Sequence, residues 1–393
     1  MNQANNGEFG PFFSQLYQSA RLHKVRNRVE IQMKEEAMYN GPRTRGMKTI
    51  IDRKICSGRF SNIHLAHRDK KKCIVKYTYR QKVDDHDLYE YRVLKHLQEH
   101  GGKDHGVVGV TGYVENYHTI GIVMEYCDRT FESRWKDSRI EPTQARAILH
   151  PLLSAIKFLK DHGVAHRHIR PSNVMYQYQK NGKKITQVLK LVGFGRATLN
   201  NEVKKLPHAK YRFDYAAPED VLKLGGNIGH ATDVLSVGLL VLSLFQSRRV
   251  RNPLITGRHS FVWQWVKFLG YPPNAMINAY EDVYFNKDSG KWRFVNPANS
   301  TEDEVEATWE FPFARIDDTV CTAFQVTGYD KKCEVDFQEL KKLFKKMIKW
   351  DPMERVTAEE ALNSRFFSRA FIQNLDGLDK DRTYFSRNEK YLH

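Results

Sequence analysis

The sequence predicts an α+β protein in two unequal parts, a small β-sheet with one helix followed by a larger and mainly helical part. Short β-rich runs such as CIVKY and TIGIVMEY occupy residues 48–126. Beyond Glu141, apolar residues recur at three- and four-residue spacing, the period of a helix with one buried face. A chain of 393 residues with 41% hydrophobic side chains can bury the core of one large domain or of two lobes.

A basic extension is predicted before the sheet. Residues 1–46 are polar and basic and close with Gly41, Pro42 and Gly46, which indicates an extension with one amphipathic helix over 12–38. The chain carries a net charge of +17, which favours encounters with acidic partners. The extension leaves binding to nucleic acid or chromatin open, although no zinc, homeodomain or ribonucleoprotein signature accompanies it and a solvated basic surface is the simpler interpretation.

The sheet part is predicted over residues 47–127 and the helical part over 128–370. One helical stretch, at 87–100, interrupts the strands. In the helical part, the run VLSVGLLVLSLF is too short for the roughly 20 apolar residues of a membrane span, so we expect a buried core helix. The remaining predictions are a surface insertion at 272–335, closing helices at 336–348 and 357–367, and a charged tail at 371–393.

The cysteines and the N-terminal residues indicate the compartment. Five cysteines are scattered without a C-x-x-C pair, which favours neither a disulfide framework nor a zinc site and fits a reducing environment. The first residues lack a basic start followed by an apolar core, so no secretory signal is predicted. We therefore expect a cytoplasmic or nuclear protein without membrane contact.

Several short motifs follow one another in an order that is more specific than any one of them. They are ICSGRFSNIHLA, CIVKY, LYEYRVLKHL, HRHIRPSNV, KLVGFGRA, YAAPED and WDPMERVTAEEAL. In this order the chain resembles eukaryotic serine/threonine protein kinases over residues 50–367. Three segments, SGRFSNIHLA, HRHIRPSNVMY and TDVLSVGLLVLSLF, resemble most the cell-division-cycle kinase branch that fires replication origins.

The resemblance implies ATP as a cofactor and assigns its binding to the sheet part. Gly58 stands at the second glycine of the phosphate loop, whereas Cys56 and Ser61 replace the other two. Ile74 stands where the family places alanine against the adenine ring, so we expect its extra carbons to weaken nucleotide binding. The resemblance implies nucleotide contacts for Gly58, Ile63, Lys76, Glu90, Glu125 and Met175, with Lys76 and Glu90 forming an ion pair.

The catalytic motif departs from the family pattern. Where the family reads H-R-D-L-K-P-x-N, the aspartate that accepts the substrate proton is replaced by His168. Arg170 replaces the lysine that contacts the transferred phosphate, and it keeps the charge but not the compact ammonium group. Asn173 remains as a candidate ligand for a second metal ion.

The metal-binding motif departs as well. Where the family reads D-F-G, the aspartate that holds Mg²⁺ is replaced by Gly193, which has no side-chain oxygen. The loss of both carboxylates predicts a catalytically inactive homologue, or pseudokinase, that acts as a scaffold or allosteric regulator of other proteins. The alternative is an atypical active serine/threonine kinase in which His168 is the base and Asn173 carries the metal.

The substrate-facing segment also differs. Tyr211 and Arg212 replace the Gly-Thr pair before YAAPE, and Thr198 is the one Ser/Thr hydroxyl between Gly195 and Ala217. A phosphothreonine partner for Arg167 is therefore not expected. We expect Asp214 or Glu202 to take that place.

The residues that support the fold are retained. The resemblance implies a stack of Leu94, His166 and Phe194 and an anchoring role for Asp233 on the catalytic loop. It also implies a buried ion pair between Glu219 and Arg355. A kinase shape kept without its chemistry indicates a use for the shape itself.

Overall fold

A five-stranded sheet in the order β1-β2-β3-β5-β4 confirms the predicted sheet part. Strands β1, β2 and β3 pair antiparallel, and Ile51, Ala66 and Cys73 lie opposite one another in the register. Residues directly opposite each other on neighbouring strands face the same side of a sheet, so these three side chains share the core face. The strands are β1 (Thr49–Ser57), β2 (Ser61–Arg68) and β3 (Lys71–Tyr79), followed after one helix by β4 (Val110–Glu115) and β5 (Thr119–Glu125).

The computed structural model describes the predicted sheet and most of the helical part. Outside the described residues lie the extension at 1–46, the phosphate-loop residue Gly58, the charged tail at 371–393, and Glu202, Tyr211, Arg212 and Asp214. The described residues are 49–57, 61–79, 88–115, 119–134, 140, 142–181, 184–200, 215–222, 229–245, 262, 265–266, 268–278, 285–288, 291–294 and 331–368.

The chain divides into two units by its internal contacts. The first consists of Met1–Gln81 with Tyr113–Met124, and the second of Lys82–Gly112 with Glu125–His393. The predicted helix of the sheet part is α1 (Tyr89–Glu99), and it falls in the second unit. There it contacts the 3₁₀ turn Phe194–Arg196.

The core of the first unit is small and tightly packed. Ala66, Cys73, Val75 and Val123 are buried together. Gly121 is required beside them, since a Cβ atom there would lie 2.7 to 2.8 Å from side-chain atoms of Val114, Tyr77 and Val75. Any larger residue at 121 would push the neighbouring strands apart.

Two long helices form the centre of the second unit. Helix α3 (Pro142–Asp161) packs against α5 (Gly229–Phe245), whose residues from Thr232 onward are almost all buried. Burial on every side explains why α5 is apolar all round and shows no amphipathic period in the sequence. The other helices of this unit are α2 (Phe131–Arg134), α4 (Pro218–Leu222), α6 (Asn274–Asn278), α7 (Lys331–Met347), α8 (Ala358–Leu362) and α9 (Arg365–Ser368).

Short strands frame the loops of the second unit. A three-stranded sheet in the order β6-β8-β9 and the pair β7-β10 flank the catalytic loop. A hairpin of β11 and β12 lies inside the predicted insertion, which is therefore not wholly irregular as expected. The strands are β6 (Arg129–Thr130), β7 (Val164–Ala165), β8 (Val174–Asn181), β9 (Lys184–Leu191), β10 (Thr198–Leu199), β11 (Phe285–Asp288) and β12 (Lys291–Phe294).

The closing helices differ slightly from the prediction. Helix α7 starts at Lys331, five residues before the predicted 336, and the predicted 357–367 helix is divided into α8 and α9. Thr357 caps α8 through a reciprocal pair of bonds with Glu360, which fixes its start. None of the described helices combines the length and the apolar character needed to cross a membrane.

Candidate active site

A buried aspartate of α5 fixes the loop that follows β7. Asp233 accepts hydrogen bonds from the backbone N–H groups of His166, at 2.6 Å, and Arg167, at 2.7 Å. Burial raises the pKa of Asp233 to about 7, and the two N–H donors oppose that shift. Arg167 has a left-handed φ of 56°, a strained value for a residue with a side chain, which the two bonds hold in place. The anchoring role predicted for Asp233 is confirmed.

His166 links this loop to the turn after β9. Its ring packs edge-on against Phe194 with centroids 4.5 Å apart, and both side chains are fully buried. Nδ1 accepts the N–H of His168, so the hydrogen of the neutral ring is on Nε2, which donates to the Val192 carbonyl at 3.0 Å. Leu94 is buried on α1, the helix that contacts the turn containing Phe194.

The ring of His168 is oriented by Asn173. A carbonyl oxygen only accepts hydrogen bonds, so the Asn173 atom 2.9 Å from the His168 carbonyl is the amide nitrogen. The same nitrogen lies 3.0 Å from Nδ1 of His168, and Nδ1 therefore accepts its second hydrogen. In a neutral imidazole with Nδ1 as acceptor, Nε2 carries the hydrogen and is a donor. His168 thus has its Nδ1 lone pair bound to Asn173 and a hydrogen on Nε2, so neither ring nitrogen offers the lone pair that a catalytic base needs.

Gly193 lies directly beside the same amide. Its φ of 83° is left-handed, a conformation that glycine adopts at no steric cost. A Cβ atom at this position would lie 2.9 Å from Oδ1 of Asn173 and 3.0 Å from its Cγ. The Asn173 side chain therefore fills the space into which the replaced aspartate would project.

The arrangement around Asn173 does not fit a magnesium ion. Mg²⁺ in kinases is held by one or two carboxylates together with the nucleotide. Gly193 supplies no oxygen, and one amide oxygen remains at Asn173 because its nitrogen donates to His168. Across the part of the chain that the structure describes, no group of three or more His, Cys, Asp or Glu residues is placed to bind a metal.

Arg167 is paired with a carboxylate that the sequence interpretation missed. Its guanidinium donates to Oδ1 of Asp220 from two nitrogens, at 2.5 and 3.2 Å, and both side chains are mostly buried. Asp214 and Glu202, the partners expected from the sequence, lie outside the described residues. Asp220 could have been identified from its position directly after Glu219, at the end of the motif YAAPED.

Glu125 takes part in a buried polar network at the end of β5. Its carboxylate accepts the N–H of Gly109 at 2.7 Å and the side-chain amide of Gln177 at 3.1 Å. Nζ of Lys190, which is 1% exposed, lies 3.3 Å from the same carboxylate and donates to the Lys103 carbonyl at 2.5 Å. The Glu125 side chain is thus occupied within the protein, and its predicted nucleotide contact stays a prediction.

Met175, predicted to contact the nucleotide, pairs with Lys190 across β8 and β9 and is partly buried. Its nucleotide contact also stays a prediction. Two of the network partners, Lys103 and Gln177, lie outside the motifs, and Lys190 begins the motif KLVGFGRA, which does not indicate a contact with Glu125.

The first unit places its predicted nucleotide residues on one face of the sheet. Ile63 lies opposite Lys76, and Leu65 opposite Ile74, in the pairing of β2 with β3. Residues two apart on a strand face the same side, so Lys76 shares its face of the sheet with three branched aliphatic residues. Glu90 is buried on α1 in the second unit, and its ion pair with Lys76 stays a prediction.

The ion pair predicted between Glu219 and Arg355 is confirmed. Both side chains are fully buried, and two guanidinium nitrogens of Arg355 donate to the two carboxylate oxygens of Glu219, one of them at 2.7 Å. Arg355 also donates to the carbonyls of Lys349 and Trp350. Thr232 of α5 donates to the carboxylate from a third direction, at 2.9 Å.

Comparison with known proteins gives a consistent result. The profile of the family described as "Protein kinase domain" matches residues 50–367. Homeodomain-interacting protein kinase 1 of Caenorhabditis elegans is 24% identical over 310 residues, covering 72% of this chain and 35% of that protein. Serine/threonine-protein kinase Doa of Drosophila melanogaster is 24% identical over 281 residues, covering 68% of this chain and 32% of that protein. Homeodomain-interacting protein kinase 4 of Homo sapiens is 26% identical over 321 residues, covering 73% of this chain and 50% of that protein. The match thus spans a third to a half of these relatives.

Proposed function

The chain belongs to the protein kinase domain family, and from that premise we propose that it is a pseudokinase that acts as a scaffold or allosteric regulator of signalling proteins. In this function the kinase fold presents surfaces to protein partners and does not transfer phosphate. The residues that hold the shape are kept, including Asp233, the His166–Phe194 stack and the Glu219–Arg355 pair.

The geometry of His168 is the observation that carries this proposal. A general base must accept the proton of the substrate hydroxyl, and such a base contributes about 10² to 10⁴ in rate. The Nδ1 lone pair of His168 is taken by Asn173, and its Nε2 carries a hydrogen. Gly193 offers no carboxylate to a metal, so the second contribution, charge stabilisation by Mg²⁺, is weakened at the same place.

An atypical active serine/threonine kinase is the second candidate. It is favoured by the intact loop anchor at Asp233, by the presence of Lys76 and Asn173, and by kinase relatives such as Doa. In this candidate His168 would have to rotate away from Asn173 before it could accept a proton, and Asn173 would have to carry the metal.

A thermal-shift measurement with ATP separates the two candidates. A ligand that binds the native state at 100 times its Kd stabilises it by about 2.7 kcal/mol. The pseudokinase predicts no Mg²⁺-dependent rise in Tm, and Lys76→Met serves as the control for nucleotide held by the phosphate-binding lysine. A rise that needs Mg²⁺ or Mn²⁺ and disappears in Lys76→Met would favour the active kinase.

The finer identity is also a proposal. We place the chain near the cell-division-cycle kinase branch, in the cytoplasm or nucleus, on the motifs SGRFSNIHLA and HRHIRPSNVMY. The basic extension is a candidate tether to nucleic acid or chromatin. DNA binding that weakens with salt and is lost on deleting residues 1–46 would support the tether, whereas salt-independent behaviour would remove it.

A further inference from the structure

β8 and β9 form a hairpin that extends beyond the third strand of its sheet. The two strands pair along their whole length without a bulge, out to Asn181 opposite Lys184. The third strand, β6, has two residues and pairs with Met175 and Tyr176 near the other end. β9 lies at the edge of this sheet. Within the described residues, the outer half of the hairpin is therefore a two-stranded ribbon.

The backbone of Leu191 shows which groups of β9 point to the free edge. Its N–H donates to the Gly106 carbonyl at 2.7 Å and its carbonyl accepts the N–H of Val108 at 3.1 Å, so both groups point away from β8. Backbone groups point alternately to the two sides of a strand, so those of Ile185 and Gln187 also point away from β8. In the part of the chain that the structure describes, no backbone hydrogen bond reaches these two residues from that side.

The other strand of the hairpin gives the same alternation. The Tyr176 carbonyl accepts the N–H of Asp128 at 2.8 Å, on the side away from β9. Leu189 lies opposite Tyr176, so its backbone also points away from the hairpin. Leu189 is buried, which marks the inner end of the accessible edge. The accessible edge, named here the β9 edge, therefore consists of residues 184–188.

The side chains of the β9 edge are open to solvent. Ile185 is 57% exposed and Gln187 is exposed, while Thr186 and Val188 are partly buried. Three of these four residues are β-branched and none is charged, a composition that favours an extended strand. The edge thus offers two N–H and two C=O groups of one regular strand beside an exposed aliphatic side chain.

The outer strand of the five-stranded sheet is protected in a way that β9 is not. β1 lies at an edge of that sheet, and its pairing with β2 shifts twice, between Ile51 and Arg53 and between Lys54 and Cys56. It also carries three consecutive charged residues, Asp52, Arg53 and Lys54. Bulges and charges prevent an edge from pairing with another chain. The β9 edge has neither device.

An extended acidic segment is the occupant that fits the β9 edge. A strand presents N–H and C=O groups at the spacing of the edge, and strand addition to an open edge is a common way to bind a peptide. Lysines at 180, 183 and 184 stand around the hairpin turn in the sequence, and residues 174–190 contain no Asp or Glu. This run favours an acidic partner and disfavours a second copy, which would bring two sets of lysines together.

We propose that the β9 edge takes up an extended, acidic and β-branched segment of a partner protein as a further strand of the sheet. The inference deepens the proposed function, on which it rests, because it names one surface at which a scaffold of kinase shape holds a protein partner. Ile185 supplies an apolar contact, and the backbone of Ile185 and Gln187 supplies the hydrogen bonds.

The probe is a fluorescein-labelled peptide, Glu-Val-Gln-Val-Gln-Val-Glu, and fluorescence anisotropy with the full chain measures its binding. The matched control, Glu-Val-Gln-Pro-Pro-Val-Glu, lacks two backbone N–H groups and should bind at least about tenfold more weakly. A second control, Lys-Val-Gln-Val-Gln-Val-Lys, should bind about two- to tenfold more weakly than the acidic probe. Equal binding of the probe and the proline control, or no binding of either, would overturn the inference. Equal binding of the acidic and lysine peptides would overturn the acidic partner.

Two substitutions at one position locate the site. Gln187→Pro removes an N–H group that points away from β8, so the hairpin is kept while the edge loses a donor. It should weaken binding of the acidic probe by at least about fivefold, whereas Gln187→Ala, which keeps the N–H group, should change it by less than about twofold. Thermal unfolding shows whether both variants are folded. Equal affinities of folded Gln187→Pro and Gln187→Ala would contradict the site.

Hydrogen exchange followed by NMR gives an independent readout of the edge. Without the probe, the amides of Ile185 and Gln187 should exchange faster than those of Thr186 and Val188, which point towards β8. The acidic probe should slow the exchange of Ile185 and Gln187 by at least about tenfold. Unchanged exchange at saturating probe would place the peptide elsewhere and overturn the inference.

Sedimentation of the chain without the probe tests the other occupant. We expect a monomer, and a dimer that Gln187→Pro abolishes would assign the β9 edge to a second copy and overturn the acidic partner. The probe has no hydroxyl group and cannot be a kinase substrate. The proposed function therefore fails on phosphotransfer and this inference fails on probe binding, so the two failures are distinguishable.

Discussion

At the scale of single residues, the side chain of Asn173 determines what the catalytic loop can do. Its nitrogen holds the His168 ring through Nδ1, and its oxygen lies next to Gly193. One amide therefore blocks the base and fills the place of the metal-binding side chain. Both substituted motif positions, His168 and Gly193, are therefore next to the same Asn173 side chain.

Replacing Gly193 by alanine tests that contact. A left-handed alanine costs about 1–2 kcal/mol by itself. Gly101→Ala is the matched control, since Gly101 has nearly the same φ, 82°, and an added Cβ atom would meet no atom within 4 Å. We expect Gly193→Ala to lower the free energy of unfolding more than Gly101→Ala does, because its Cβ atom collides with Asn173.

A double-mutant cycle isolates the same contact. In an Asn173→Ala background the cost of Gly193→Ala should fall by about 0.5–2 kcal/mol, the usual size of coupling between touching residues. Urea denaturation of the four proteins gives the coupling free energy. Additive costs, within about 0.3 kcal/mol, would show that Asn173 does not occupy this space.

The motifs identify these residues but not their contacts. His168 and Gly193 are recognisable from the order of letters around them, and so is the ion pair of Glu219 with Arg355. The hydrogen on Nε2 of His168 is not, because it depends on which atom faces Nδ1 in the folded loop. The same limit explains why Asp220 was missed as the partner of Arg167, since several nearby carboxylates fit the sequence equally well.

At the scale of elements, the buried pair of Arg355 and Glu219 joins α4 to the chain after α7 and to α5. Both side chains are fully buried, so each charge depends on the other for its solvation. Two further hydrogen bonds hold the pair: Thr232 donates to Glu219, and Arg355 donates to the Trp350 carbonyl. Such a network fixes how α4, α5 and the segment after α7 pack together.

Arg355→Met should therefore lower the free energy of unfolding by about 3–5 kcal/mol, because it leaves Glu219 buried without its cation. The control is Lys342 of α7, an exposed lysine that pairs with Glu339, and Lys342→Met should cost less than about 0.5 kcal/mol. Chemical denaturation measures both. If Arg355→Met costs no more than the control, the pair does not hold these elements together.

The apolar residues of the core helices predicted that these helices exist, but they did not predict where each helix begins and ends. Helix α5 begins at Gly229, ahead of its apolar run, because its first turn is polar and carries no hydrophobic signal. Pro151 lies inside α3, although proline usually ends a helix, so tertiary packing overrides local preference there. The hairpin of β11 and β12 escaped prediction because its strands have four residues each.

At the scale of the whole molecule, two of the cysteines whose side chains the structure describes are buried, one in each unit, and their reactivity measures whether that unit is folded. Cys73 is 4% exposed in the first unit and Cys127 is 7% exposed in the second, whereas Cys56 is exposed. Burial raises the pKa of Cys127 to about 12 and also raises the pKa of Cys73. Only the thiolate reacts with alkylating reagents, so burial and pKa protect the same two groups.

Native alkylation with iodoacetamide at pH 8, read by peptide mass spectrometry, should therefore modify Cys56 and leave Cys73 and Cys127 unmodified. With increasing urea, the modification of Cys73 should follow the opening of the first unit and that of Cys127 the opening of the second. Labelling of Cys127 in the native protein as fast as Cys56 would contradict the burial and the raised pKa.

The most direct test of whether the chain is catalytically inactive is phosphotransfer from radiolabelled ATP to protein, measured with Mg²⁺ and with Mn²⁺. We expect the chain to transfer no more label than its Lys76→Met variant in either metal, because His168 offers no lone pair and Gly193 no carboxylate. Transfer that clearly exceeds this background and is lost in Lys76→Met would contradict the account.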